Sequence, residues 1–118
     1  VLAEYKTLAK TLSIDESVEF LPFQTDEQII HLYKYAAMFV FPSFDEGFGI
    51  PIIESFKFGC PLLCSFSSCF PEIAGNAARY FDPSNVDSIS SAIMLSIEDE
   101  EQTILNIELG YDQIKKYS

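Results

Sequence analysis

A short apolar run that leads into a glycine-containing loop and a helix start constrains the fold of this chain most. Residues 38–41 (MFVF) are apolar at every position and end at Pro42. A strand that is apolar on both faces is typical of a parallel sheet covered by helices on both sides. Further along, Pro51 suits the first turn of a helix and Gly59 suits its end. The pattern predicts a buried parallel strand, a loop, and a helix over residues 51–58.

Strand and helix patterns alternate along the rest of the chain. Strand patterns occupy residues 17–21, 38–41, 61–65 and 79–81. Helical patterns occupy residues 2–12, 25–37, 51–58, 86–97 and 100–116, and a loop with one helical turn near residues 71–73 is expected between them. Thr25 followed by Gln28 is a capping box that begins the second helix. The alternation predicts an α/β fold, a three-layer Rossmann-like domain with a short parallel sheet of about four strands.

Charge and composition exclude several classes of function. The chain has 118 residues, enough for one core, and 18 acidic residues against 7 basic ones give a net charge of −11. Such a surface disfavours nucleic acids and anionic lipid headgroups, because both are bound through neutralisation of phosphates. The apolar runs are too short to span a bilayer, and none is typical of a signal peptide. The acidic run at residues 98–101 is interpreted as a solvated connection between helices.

The cysteines indicate a reduced protein without a zinc site. Cys60, Cys64 and Cys69 are odd in number and lie in an apolar neighbourhood, while the single histidine, His31, is distant in sequence. This spacing does not match paired metal ligands. We therefore interpret the cysteines as mostly buried, reduced thiols of a cytosolic protein and predict no metal ligands.

Two carboxylates flank the glycine-containing loop. Glu46 follows the predicted strand, and Glu54 lies one turn into the next helix. Gly47 and Gly49 let the backbone approach a ligand and adopt positive φ. The helix start offers free N–H groups and a positive dipole end to a phosphate. The arrangement predicts a ligand with sugar hydroxyls, phosphates and a ribose. Two alternatives remain open: two solvent carboxylates at an ordinary helix start, and a glycosidase pair.

The loop and its flanks resemble a known signature. Residues 41–54 (FPSFDEGFGIPIIE) resemble the E-x7-E signature of retaining glycosyltransferases with the GT-B fold, especially glycosyltransferase family 4. Further segments fit the same family: residues 18–23, 32–36, 59–61, 71–78, 80–83 and 115–118. The resemblance covers nearly the whole chain.

The resemblance implies a role for each matching residue. Glu46 would be the catalytic residue that contacts the transferred sugar, and Glu54 would bind the ribose hydroxyls. The remaining substrate-binding positions are backbone groups: Gly47, Phe48 and Gly49 for the sugar, Ile50 for the diphosphate, and Leu21, Pro22 and Phe23 near the base. The resemblance implies no metal, since the helix dipole and basic side chains offset the charge of the leaving diphosphate. It also implies no cofactor, and the nucleoside diphosphate sugar is the donor substrate. Many members of the family are thought to react at the front face of the sugar without a protein nucleophile.

The resemblance also implies what the whole protein does. Residues 1–118 are expected to form a single partial domain, the donor-binding half of a GT-B enzyme, and to be inactive alone. The full-length protein would transfer a hexose from a UDP- or GDP-sugar to a glycan or lipid-linked acceptor, as in polysaccharide biosynthesis. Its expected partner is an N-terminal acceptor-binding domain of the same protein. It would be cytoplasmic, with peripheral contact to the inner membrane through that other part. The alternative is a non-catalytic nucleotide-sugar-binding or interaction module with the same fold.

Two further side chains carry expectations. For Glu72, two roles are open: shaping the donor pocket, or capping the turn after Ser67 and Ser68. Arg79, the only arginine, is interpreted as a surface charge before a strand.

Overall fold

The computed structural model describes residues 1–45, 49–68 and 70–117 of the chain, and it confirms the alternation of strands and helices. The strands are β1 (Phe39–Phe41), β2 (Leu62–Ser65) and β3 (Ala78–Phe81). The α-helices are α1 (Leu2–Thr11), α2 (Asp26–Tyr35), α3 (Ile50–Lys57), α4 (Phe70–Ala74), α5 (Val86–Glu98) and α6 (Glu100–Ile114). Short 3₁₀ helices follow α1, α4 and α6 at Asp15–Ser17, Gly75–Ala77 and Lys115–Tyr117.

The sheet is parallel, with β2 between β1 and β3. Phe41 pairs with Cys64, and Cys64 pairs with Tyr80, so the carboxyl ends of the strands lie at one edge. All four residues of β2 are buried, whereas those of β1 are half-buried. This difference follows from pairing, because β2 has a strand on each side and β1, among the described residues, has one only on the β2 side.

The prediction of a strand at residues 17–21 is wrong, so the described residues form three strands rather than about four. Val18 is extended (φ −117°, ψ 125°), but this segment joins no sheet. The ammonium of Lys6 on α1 lies 5.9 Å from the centre of the Phe20 ring. An extended backbone becomes a strand only when a neighbour takes its main-chain hydrogen bonds, and this segment packs beside α1 instead.

Two apolar clusters cover the two faces of the sheet, which confirms the three-layer architecture. Successive side chains of a strand point to opposite faces, and Leu62 and Cys64 accordingly join one cluster while Leu63 joins the other. The larger cluster also contains residues of α3 and α4, with part of α6 against it: Ile52, Phe56, Phe70, Ile73, Ala74, Leu109 and Ile114. The smaller cluster also contains residues of β3 and α5, with further residues of α5 against it: Phe81, Ala92, Ile89 and Ile93.

Helix α6 holds α3 and α4 in place. Gly110 lies so close to α3 that an added Cβ would be 2.7 Å from Cδ1 of Phe56. Nearby, Nε2 of Gln113 donates a hydrogen bond of 2.8 Å to the carbonyl of Ile73 on α4. The last long helix therefore positions the two helices that flank the loop after β1.

The predicted capping box at the start of α2 is confirmed. The amide of Gln28 donates to Oγ1 of Thr25 at 3.2 Å, and the amide of Thr25 donates to Oε1 of Gln28 at 2.9 Å. The helix ends at Tyr35, two residues before the expected end, because Ala36 turns to an extended backbone (ψ 145°). Its apolar stripe lines a groove of about 200 Å³ beside β1, formed by Ile29, Leu32, Tyr33, Ala36, Met38, Phe39 and Cys60.

The interpretation of Arg79 as a surface charge is wrong. Its side chain is only 15% exposed, and Nη2 donates a hydrogen bond of 3.3 Å to the carbonyl of Asp99. The Asp99 carboxylate lies 3.9 Å away and caps α6 by accepting from the amide of Gln102 at 3.1 Å. One residue of the acidic run therefore joins β3 to the junction of α5 and α6. Within the described ranges, no helix is long and apolar enough to cross a membrane.

Candidate functional site

The loop between β1 and α3, residues 42–49, lies at the carboxyl edge of the sheet, where open parallel sheets bind ligands. Glu46, Gly47 and Phe48, for which the sequence predicts contacts with the transferred sugar, lie outside the described residues. Their roles stay predictions. The residues that flank them are described.

Gly49 ends the loop and begins α3. Its backbone is left-handed (φ 77°, ψ 36°), and it is the N-cap residue of the helix. Its carbonyl accepts hydrogen bonds from the amides of Ile52 at 2.9 Å and Ile53 at 3.4 Å. An added Cβ would lie 3.0 Å from Cδ1 of Ile73, which is tighter than ordinary van der Waals contact. Both the φ angle and the neighbour therefore favour glycine, and the positive φ matches the conformation that the sequence allowed for Gly49.

The first turn of α3 leaves one amide, that of Ile50, without an acceptor among the described residues. Pro51 has no N–H. The Ile50 side chain is 61% exposed. A free amide at the positive end of a helix dipole can bind an anionic group. The predicted contact of Ile50 with the diphosphate stays a prediction.

Glu54 lies just over one turn into α3, half-buried, near Tyr33 of α2. Burial raises the pKa of Tyr33 to about 12, and the Glu54 carboxylate and then Cys60 add to the shift. The Tyr33 ring packs edge-on against Phe39, with 5.4 Å between ring centres. The phenol therefore stays protonated at neutral pH. The carboxylate of Glu54 can accept hydrogen bonds from ligand hydroxyls.

The sequence predicted Leu21, Pro22 and Phe23 at the end of a strand, but they lie in the irregular segment between the first 3₁₀ helix and α2. Leu21 is 47% exposed and Phe23 is 90% exposed. The side-chain amide of Gln24 donates to the carbonyl of Pro22 at 2.9 Å. Their predicted place near the base stays a prediction.

Sequence reasoning missed the role of two serines in the loop after β2. The Ser67 hydroxyl donates to the carbonyl of Phe44 at 3.1 Å, and the Ser68 hydroxyl donates to Oδ1 of Asp45 at 2.7 Å. The serines therefore contact the loop that leads to Glu46. Glu72 is exposed in the first turn of α4. The sequence carried no signal for these bonds, since they join residues 23 positions apart.

Two of the cysteines are buried thiols, as predicted. Burial raises the pKa of Cys60 to about 11 and that of Cys64 to about 12, so both stay protonated at neutral pH. Cys69 lies outside the described residues. Across residues 1–45, 49–68 and 70–117, no group of three or more His, Cys, Asp or Glu side chains is placed to hold a metal ion.

A parallel three-layer domain with a glycine-capped helix at its carboxyl edge is the architecture of a nucleotide-binding α/β protein. The family model described as Glycosyl transferases group 1 matches residues 2–109, and the chain belongs to this family. The fold is that of the C-terminal domain of a GT-B glycosyltransferase. In a solved structure, the C-terminal domain of a group 1 glycosyl transferase (LpcC) from Francisella tularensis superimposes with a TM-score of 0.82 at 24% identity, over 97% of this chain and 60% of that one.

Several curated relatives of the chain are mannosyltransferases, and others are D-inositol 3-phosphate glycosyltransferases. The chain is 39% identical over 101 residues to the O-antigen chain mannosyltransferase B of Escherichia coli, which is 86% of this chain and 26% of that protein. It is 35% identical over 94 residues to the serotype-specific mannosyltransferase WbdA of Escherichia coli, which is 79% of this chain and 12% of that protein. The chain thus spans about a quarter or less of the length of these relatives.

Proposed function

We propose that this chain is the donor-binding part of a retaining mannosyltransferase of glycosyltransferase family 4. The protein that contains it would transfer mannose from a UDP- or GDP-linked donor to a glycan or lipid-linked acceptor. One observation carries the proposal: Gly49, at positive φ, begins a helix whose Ile50 amide has no acceptor among the described residues, and Glu54 lies just over one turn further on. This occurs in a chain that is 39% identical to a mannosyltransferase.

The roles follow the order of the groups along the donor. The open amide of Ile50 suits the diphosphate, because a helix start stabilises negative charge. Glu54 suits the ribose, because a carboxylate accepts two hydrogen bonds from a diol. Glu46, three positions before Gly49, is assigned to the transferred mannose. The amides of Gly47, Phe48 and Gly49 are assigned to its hydroxyls.

The proposed reaction uses no metal and no protein nucleophile. As the bond from the anomeric carbon to the diphosphate breaks, negative charge grows on the leaving group. The start of α3 would offset part of it, together with basic side chains elsewhere in the intact protein. The acceptor hydroxyl would attack the anomeric carbon from the same face and pass its proton to the departing diphosphate oxygen, and attack from this face retains the configuration. Transfer measured in excess EDTA tests whether a metal is needed, and we expect full activity.

The setting of the thiols supports a reducing compartment. Cys60 and Cys64 are buried and protonated at neutral pH, and reduced cysteines are usual in cytosolic proteins. We accordingly propose that the protein acts in the cytoplasm, with its acceptor-binding part at the inner membrane face.

Donor titration and transfer assays on the intact protein test the function. UDP-mannose, GDP-mannose and the matching glucose donors are titrated by calorimetry, and transfer is followed with labelled donor. We expect Glu46→Gln to lower transfer about 100-fold or more. Glu54→Gln should weaken donor binding roughly 10-fold, because a hydrogen bond to a charged group contributes about 1.5–3 kcal/mol.

Glu27→Gln is the matched control, because Glu27 is an exposed carboxylate in the first turn of α2. Its transfer rate should equal that of the wild type. Unchanged transfer by Glu46→Gln would contradict the role of Glu46. Tight donor binding with no transfer to any acceptor would instead favour the non-catalytic binding module.

A further inference from the structure

The loops after β1 and β2 begin side by side at the carboxyl edge of the sheet. Phe41 is the last residue of β1 and pairs with Cys64, and the next residue of β2, Ser65, donates a hydrogen bond of 3.4 Å to the carbonyl of Phe41. The first loop leads to Glu46, and the second leads to α4. Hydrogen-bond donors on the second loop can therefore reach acceptors on the first.

Two hydroxyl groups join the loops. Oγ of Ser67 donates to the carbonyl of Phe44 at 3.1 Å, and Oγ of Ser68 donates to Oδ1 of Asp45 at 2.7 Å. The second bond ends on a carboxylate, and such charge-assisted bonds are shorter and stronger than neutral ones. Both acceptors belong to the two residues that directly precede Glu46.

The two serines are themselves held firmly. Ser68 has φ +53°, a conformation that residues other than glycine adopt only where the surroundings impose it. The carbonyl of Ser67 accepts from the amide of Phe70 at 3.2 Å. Phe70 is fully buried, with its ring centre 5.4 Å from that of Phe41. The core thus fixes the backbone that carries the two hydroxyls.

The same segment also touches the far end of the first loop. Ile73 of α4 lies against Gly49, at the distance where an added Cβ would be 3.0 Å from its Cδ1. Ser67, Ser68 and Ile73 therefore contact the described parts of the first loop, at Phe44, Asp45 and Gly49.

We propose that Ser67 and Ser68 are positioning residues for sugar transfer, an inference that rests on the proposed function. Their hydroxyls hold Phe44 and Asp45, the two residues that precede Glu46. They act through Phe44 and Asp45 and do not touch the donor. Their loss should lower the rate of transfer more than the affinity for the donor, because the diphosphate and ribose contacts on α3 remain.

The sharpest variant is Ser68→Gly in the intact protein. Glycine favours the positive φ of this position, so the fold keeps its backbone and loses only the hydroxyl. We expect kcat for mannose transfer to fall roughly 10-fold, since a small displacement of a reacting group lowers rates strongly. The KM for the donor should stay within about 2-fold, and the amides of residues 43–45 should exchange hydrogen faster.

Ser13→Gly is the matched control. Ser13 also has positive φ (59°), and it lies in the turn after α1. This variant makes the same substitution in the same backbone conformation, away from the loop. Its kcat and its hydrogen exchange at residues 43–45 should equal those of the wild type.

Three further variants separate positioning from general loss of structure. Ser67→Thr keeps the hydroxyl and Asp45→Asn keeps the acceptor oxygen, so both should retain near wild-type kcat. Asp45→Ala should match Ser68→Gly, and the double variant should be no worse than either one, because both remove the same bond. Additive losses would refute the assigned bond.

The outcomes distinguish the two proposals. If the wild type neither binds a mannose donor nor transfers mannose, the proposed function fails and this inference fails with it. If the wild type transfers mannose and Ser68→Gly behaves as Ser13→Gly does, the inference alone is refuted. A rise in KM with an unchanged kcat would assign Ser68 to donor binding instead of positioning.

Discussion

Phe23 and Phe56 are the same residue type, yet the first is 90% exposed and the second is 3% exposed. The contrast holds for the regions around them. Within the amino-terminal region (residues 1–38), Ala9 is the one buried residue. In the carboxy-terminal region (residues 49–117, described except for Cys69), α3, α4, α6 and two strands share the main core. The two regions are therefore held by different forces: local hydrogen bonds in the first and apolar burial in the second.

The candidate site lies at the boundary between these regions. β1 is half-buried, and the loop that follows it takes its support from residues 67–73 of the carboxy-terminal region. The amino-terminal region approaches the site through Tyr33, which lies near Glu54. The comparison indicates that the stability of the site depends mostly on the carboxy-terminal region.

The largest contrast is expected between Phe56→Ala and Phe23→Ala. Phe56 packs in the main core against Gly110 of α6, so its truncation should lower the free energy of unfolding by about 3–5 kcal/mol. Phe23 is exposed, and its truncation should change that free energy by less than about 0.5 kcal/mol. Urea denaturation followed by circular dichroism measures both. Equal losses would show that the amino-terminal region is packed as tightly as the rest.

The second effect is a loss of stability at alkaline pH that arises in the carboxy-terminal region. Burial raises the pKa of Cys64 from 9.0 to about 12 and that of Cys60 from 9.0 to about 11. Above pH 9 the unfolded chain therefore loses protons that the folded chain keeps. Stability is complete below pH 9 and falls as the pH rises towards the folded values, by up to about 1.4 kcal/mol per pH unit for each thiol.

Unfolding measured from pH 7.5 to pH 10 separates this effect from the titration of Tyr33 in the amino-terminal region. The folded pKa of Tyr33 is raised as well, but from 10.0, so its contribution begins only above that pH. Cys64→Ala should reduce the slope between pH 9 and pH 10, whatever its effect on stability at pH 7.5. A slope that does not change would show that the Cys64 thiol titrates alike in both states.

Gly49→Ala tests the boundary itself. The φ of 77° disfavours any residue with a Cβ by about 1–2 kcal/mol, and Ile73 must also move. We expect a loss of this size in unfolding free energy, together with weaker donor binding by the intact protein. Ser13→Gly in the amino-terminal region should have the opposite sign, because it relieves a positive φ. Equal stability of Gly49→Ala and the wild type would contradict the left-handed conformation.

The smallest effect is expected from Thr25→Ala, which removes the capping box of α2. Loss of such a cap lowers stability by about 1 kcal/mol. The amide of Gln28 loses the side-chain acceptor that it has in the wild type. Because local bonds hold the amino-terminal region, this exposed threonine should matter more than the larger Phe23. Thermal unfolding compares the two variants, and a smaller loss from Thr25→Ala than from Phe23→Ala would contradict this account.

The sequence alone determined the features that depend on neighbours along the chain. The capping box at Thr25, the helix start near Pro51 and the wholly apolar β1 follow from short-range preferences of backbone and side chain. The α/β alternation, the predicted loop that carries Glu46 and the helix that carries Glu54 follow from the same kind of pattern.

Only the tertiary structure decided the features that depend on which elements meet. Residues 17–21 have a strand pattern, but they lie beside α1 and join no sheet. Arg79 meets Asp99, and the hydroxyls of Ser67 and Ser68 meet Phe44 and Asp45. These partners lie about 20 positions apart in the chain. Periodicity and propensity act over a few residues, whereas such contacts depend on how the helices and strands pack together.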